Sequence, residues 1–229
     1  MTSYGAKYPK AVDKLTQDKA RTAQANQIRG LLSEFGLIVP QGITQVYHRV
    51  PALLDEAKEE LPGVFCELVQ RLLAHLKELD RQVGEMEVQI RIWHRANELS
   101  RKLEAIPGIG ALTASALTAS IGDAKNFANG RQLAAWLGLV PKQHSTGGKT
   151  NLQGISKRGD PYLRTLLIHG ARAVILQVER KLNEHSWLRR LVGRRNKNVA
   201  AVALANKNAR IVWALLAKDE RFRSDYAAA

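Results

Sequence analysis

The sequence predicts a mainly α-helical protein, a coiled-coil or helical arm followed by a compact basic helical domain that contains a helix-hairpin-helix. Three observations predict it. Leu72, Leu76, Leu79, Val83, Met86, Ile90 and Trp93 recur at alternating spacings of four and three, a heptad seam. Pro107-Gly108-Ile109-Gly110 joins two helical stretches through a tight turn. No segment shows a sustained strand alternation.

The elements follow in order. Residues 1–18 are polar without a sustained apolar face and read as an unrelated or fused leader. From Lys19 to Phe35, Ile28, Leu31, Leu32 and Phe35 share one helical face, and Gly36 is a natural stop. Pro40, Gly42 and Pro51 mark a connection, and Leu61-Pro62-Gly63 a further break. Residues 19–62 therefore read as a terminal helix plus linker, and 63–100 as the heptad helix. Its seam fits a coiled coil, dimerising or antiparallel within the chain, or an amphipathic helix packed on its own domain. Asn97 falls at the next seam position, where a buried amide can set register.

Residues 101–229 form the last unit. In "LEAIPGIGALTASALTASIGD" one helix ends near Ile106 and a small-residue helix starts near Ala111. Gly108 and Gly110 let a backbone come close to a phosphate, and free N–H groups of the following helix point toward it. A plain helical hairpin without ligand is the alternative. A short helix carries Leu133, Trp136 and Leu137. Asp160 is an N-cap candidate before Pro161, opening an apolar-striped helix that reaches about Leu182. After Arg189, Arg190, Arg194, Arg195 and Lys197, a final helix runs through Val199, Val202, Ala209, Val212, Trp213 and Leu216.

Charge sharpens the division. The chain of 229 residues has a net charge of +14. Residues 1–100 carry 13 Lys and Arg against 13 Asp and Glu, so residues 101–229 hold the whole excess. A neutral half joined to a basic half points to an anionic polymer as partner of the second. Cys66 is the single cysteine, so no internal disulfide forms, which suits a cytoplasmic protein. No apolar run approaches a membrane span, and no His or Cys spacing suggests a metal site.

One stretch, "VPKQHSTGGKT" (140–150), invites three readings. A P-loop needs glycine at position 143, which is Gln143, and a helix after the lysine, where Asn151-Leu152-Gln153-Gly154 reads as loop. That reading fails. A nucleophile reading has Ser145 and Thr146 on a glycine-rich turn, with Lys149, Lys157, Arg158 and Arg164 near in sequence to gather a phosphate. A flexible basic loop that only contacts phosphates explains the same residues. His144 is a conceivable proton acceptor, although adjacent residues of an extended segment point apart.

Three strings, "IPGIGALTASALTASIGD", "RQLAAWLGLVPKQHSTGGKT" and "GISKRGDPYLRTLLIHGARAV", resemble the C-terminal half of bacterial insertion-sequence transposases related to the Piv invertases, the IS "one-ten" family with its "eleven-eleven" subgroup. The resemblance runs from about Lys19 to at least Val174. It implies action in DNA transposition and recombination, a coiled-coil insertion for dimerisation, a structured guide RNA, and a serine nucleophile in the loop of Ser145-Thr146-Gly147. Ser145 is the first candidate and Thr146 the second, because some members carry serine directly before the glycine.

The resemblance further implies an N-terminal RuvC-like domain whose Asp-Glu-Asp-Asp set binds Mg²⁺. Only 26 residues precede Gln27, and Asp13 and Asp18 sit in no matching context. "YGAKYPKAVDKLTQD" is instead faintly similar to mutator-type transposases. The expectation is a chain without its own cofactor, beginning inside the last helix of a lost RuvC-like domain and inactive in strand transfer alone. Its expected partners are DNA, guide RNA and a homodimer or an intact transposase, with no membrane, in the bacterial cytoplasm at the nucleoid. Phosphate binding falls to Gly108, Gly110, Lys149, Lys157, Arg158, Arg164, Arg194 and Arg195. The alternative is a non-enzymatic nucleic-acid-binding or dimerising module.

Overall fold

Apolar residues at helical spacing organise almost every element of the chain. The computed structural model describes residues 9–146, 149–180 and 187–223, and the side chains of residues 9–12, 145–150 and 178–180 also lie outside it. The fold is mainly α and divides into two units, with the boundary between Gln89 and Ile90.

The first unit contains α1 (Pro9–Glu34), α2 (Ile43–Glu56) and the greater part of α3 (Gly63–Ala96). Helix α1 starts ten residues before the predicted Lys19. Within its added turns Lys14 is held by Asp18 at 2.6 Å and by Glu87 of α3 at 3.1 Å. Further along, Arg21 meets Asp80 at 2.5 Å, and the Phe35 and Phe65 rings lie 4.3 Å apart. Rising numbers on α1 meet falling numbers on α3, so the two helices run antiparallel. Val69, Leu73, Leu76, Leu79 and Val83 form the buried line of α3. Leu73 takes the interior place that the heptad spacing assigned to Leu72, which is half-buried. Val69, Leu73 and Leu76 of this line share one apolar cluster with Ile28 and Leu32 of α1 and with Val46, Val50 and Leu54 of α2.

The predicted connection through Pro51 is helix α2 instead. Val46, Val50 and Leu54, spaced by four, are all buried. Their burial offsets the hydrogen bond that Pro51 cannot donate. Tyr47 also donates to the Leu76 carbonyl at 3.0 Å, tying α2 to α3.

The second unit begins with the end of α3. Asn97 sets no heptad register. It is the N-cap of α4 (Glu98–Glu104), its side chain accepting from the Ser100 N–H at 2.8 Å. At a helix start the amide oxygen satisfies one of the backbone N–H groups that has no partner within the helix. Helix α5 (Ala111–Ile121) follows the glycine turn, then a 3₁₀ turn (Ala124–Asn126) and α6 (Gly130–Trp136). The "VPKQHSTGGKT" region, expected as loop, is an antiparallel ribbon of β1 (Pro141–Thr146) and β2 (Lys149–Ile155). Helices α7 (Pro161–Arg180), α8 (Trp187–Arg194) and α9 (Lys197–Ala217) complete the unit. Asp160 caps α7 as expected, accepting from the Tyr162 and Leu163 N–H groups at 2.7 and 3.2 Å.

Helix α9 is the organising core. It packs on α7 and α6, burying Ala200, Ala201, Leu204, Ala205, Ala209, Val212 and Leu215. Its small residues allow close helix approach, and three polar side chains fix loops around it. Asn208 donates to the Pro107 carbonyl at 2.9 Å, Asn206 to Leu139 at 3.1 Å, and the Trp213 indole to Phe127 at 2.9 Å. By length and composition α9 also passes the test for a membrane span, which the sequence reading did not anticipate. Its buried face in this unit accounts for that composition.

Candidate nucleic-acid interface

The ribbon pairs Gln143 with Leu152, His144 with Asn151, Ser145 with Thr150, and Thr146 with Lys149. Gly147 and Gly148, which separate the strands, lie outside the described residues, as do the side chains of Ser145, Thr146 and Lys149. From Pro141 to His144 and from Asn151 to Gly154 every residue is exposed. A two-stranded ribbon without a covering layer gains little stability by itself, and this one is anchored at its base. Ser156 N–H donates to Val140 at 2.8 Å and Lys157 N–H to Gly138 at 3.2 Å. Gly138 and Gly159, both at positive φ, lie so close to the Arg158 and Trp136 carbonyls that a side chain at either would collide with backbone. The anchor therefore depends on glycine for both angle and space.

The ribbon base, α9, the start of α6 and Trp187 enclose an open groove of about 1450 Å³. Arg131, Lys142, Lys157, Lys207 and Arg210 line it, and no carboxylate does. Positive charge from three different elements thus faces one space, the arrangement that concentrates a polyanion. Arg210 is exposed and presses on α6 at Gly130, where a side chain would come within 2.9 Å of the Arg210 Cα. Lys207 lies 4.8 Å from the centroid of the Trp187 ring. Burial first, and the charge of Arg210 second, lower the Lys207 ammonium below the usual lysine range.

Of the sequence-predicted phosphate ligands, the structure brings Lys157 into the groove. Arg158, Arg194 and Arg195 are exposed outside its lining. Arg164 is turned to another task, its guanidinium donating to the Leu137 carbonyl at 3.2 Å at the end of α6. Gly110 caps α5 with open space around it. Gly108, at φ +86°, packs against α7, where an added Cβ would stand 2.8 Å from the Gly170 carbonyl oxygen. Close packing explains that glycine without a ligand.

Another array has nucleophile-like geometry. His94 lies 2.7 Å from the Ser100 hydroxyl and 2.9 Å from a Glu104 carboxylate oxygen. Ser100 and His94 are buried and paired with each other, with the exposed Glu104 closing the array, so the serine hydroxyl is a satisfied interior group. Among the described residues no three His, Cys, Asp or Glu side chains converge.

Residues 100–186 match the family described as Transposase IS116/IS110/IS902. A probable family 20 transposase of Pseudomonas aeruginosa is 49% identical over 207 residues, 90% of this chain and 61% of that relative. The transposase for insertion sequence element IS1111A of Coxiella burnetii is 46% identical over 206 residues, 90% of this chain and 57% of its own length. The corresponding protein of element IS1328 from Yersinia enterocolitica is 41% identical over 196 residues, covering 85% and 58%. The chain spans about three fifths of the length of these relatives.

Proposed function

We propose that this chain, whose residues 100–186 match the Transposase IS116/IS110/IS902 family, is the DNA-binding, serine-bearing portion of an insertion-sequence transposase. The observation that carries the proposal is the carboxylate-free cationic groove whose wall is the ribbon of Ser145. Groove cations neutralise the phosphodiester backbone, Arg158, Arg194 and Arg195 add contacts outside it, and Lys149 adds a further one. The Ser145 hydroxyl then attacks a phosphorus atom. A new Oγ–P bond forms, the bond to one sugar oxygen breaks, and that oxygen leaves as a hydroxyl after taking up a proton.

The family resemblance selects Ser145. In this reading the carboxylates for Mg²⁺ belong to a RuvC-like domain or an intact transposase assembled with this chain, and a guide RNA joins the assembly. Such an assembly acts in the bacterial cytoplasm on nucleoid DNA.

Incubation of the 229-residue chain with end-labelled DNA and Mg²⁺, resolved on native and denaturing gels, tests this reading. It predicts a retarded complex and no strand-transfer product. Strand transfer by this chain alone contradicts the division of labour, and absence of any complex contradicts the binding role. A DNA-linked protein band, where one forms, disappears with Ser145→Ala and persists with Thr146→Ala. Persistence in Ser145→Ala removes the serine from the mechanism.

A further inference from the structure

We infer that the groove between α9 and the ribbon holds an unpaired nucleic-acid strand, with one base stacked on Trp187. The inference rests on the nucleic-acid reading above and specifies which form of nucleic acid the groove takes. Its volume of about 1450 Å³ exceeds the roughly 300–1,000 Å³ of small-molecule sites, so a polymer segment fits it better than a metabolite.

The lining decides between a duplex and a single strand. An apolar floor of α9 residues, among them Val199, Val202, Ala203 and Ile211, lines the same groove as the cations. A duplex offers phosphates, sugars and base edges but keeps its base faces stacked inside, so such a floor gains nothing from it. An unpaired strand brings both partners at once, phosphates for the cationic walls and base faces for the apolar floor.

Trp187 opens α8 at the groove wall and is half-buried. Lys207 stands 4.8 Å from its ring centroid, a cation on the π-face that a base occupies when it stacks. The Lys207 ammonium is partly desolvated and lies beside Arg210, so an arriving phosphate relieves both penalties. Lys207 thus holds the stacking face in the free protein and follows the phosphate when a base arrives. Sequence specificity is not expected, because every base has a π-face.

Fluorescence anisotropy of the 229-residue chain tests the inference, using short labelled single-stranded DNA, single-stranded RNA of the same sequence, and the DNA duplex at one salt concentration. Tighter binding of either single strand than of duplex is expected, and the preference between DNA and RNA identifies the strand. Trp187→Ala should weaken single-strand binding by about 5- to 160-fold, the range of one base–aromatic stack, and duplex binding by less than about twofold. Trp187→Phe keeps a stacking face and should retain most of the affinity, which separates stacking from misfolding. Duplex bound as tightly as single strands, or equal losses on all three ligands, overturns the inference and leaves the DNA-binding proposal standing. Binding of none of the three ends both.

Discussion

Gly170→Ala should lower the melting temperature of the second unit by about 6–12 °C, the shift that corresponds to roughly 3 kcal/mol in a chain of this size. The reason is local and steric. The Gly170 Cα faces the Gly108 carbonyl so closely that an added Cβ meets the oxygen and its carbon. Neither atom can give way easily, because Gly108 holds φ +86° and the neighbouring Pro107 carbonyl is fixed by buried Asn208. Gly30→Ala and Gly84→Ala are the controls. Both glycines sit inside helices with no heavy atom near the added carbon, and alanine there should be neutral or stabilising by up to about 1 kcal/mol. Differential scanning calorimetry distinguishes the cases. If Gly170→Ala melts like the controls, the turn is not a packing device.

The double substitution Lys207→Glu with Arg210→Glu should weaken DNA binding on the order of 100-fold, since two charge-assisted contacts become repulsive. It should also flatten the salt dependence by about 1.4–1.8 in log–log slope, the contribution of two lost phosphate contacts. Arg210 is exposed, and Lys207 contributes a cation–π contact of only about 0.5–1 kcal/mol to the fold, so thermal stability changes little. A variant that folds and binds as before removes the groove from the interface.

The helical architecture was legible because burial follows spacing. Leu76, Leu79 and Val83 lie on the buried line, and Asp160-Pro161 opens α7, as pattern and capping chemistry require. The ribbon was not legible. Its strands mix amides, hydroxyls and glycine with almost no apolar alternation, so the period-2 signal is missing where both faces are exposed. Helix α2 was hidden by Pro51, which weighs heavily in a sequence and lightly in a helix whose Val46, Val50 and Leu54 are buried.

The site was half legible for a related reason. Lys157 was found by its nearness in sequence to Ser145, whereas Arg131, Lys207 and Arg210 reach the groove from α6 and α9 through tertiary packing. A signal for them was nonetheless present. Residues 124–159 and 185–218 contain no Asp or Glu, and these two windows supply the whole groove lining. Arg164 misled because a cation near a glycine-rich turn can equally serve a carbonyl, as it does at Leu137.

The measurement that tests the central claim most directly is the salt dependence of DNA binding by the unmodified chain. The five groove cations, each neutralising a phosphate, contribute about −3.5 to −4.5 to the slope of log Kobs against log salt, and the contacts outside the groove make the observed slope steeper still. A slope near zero, or no binding at low salt, contradicts the account.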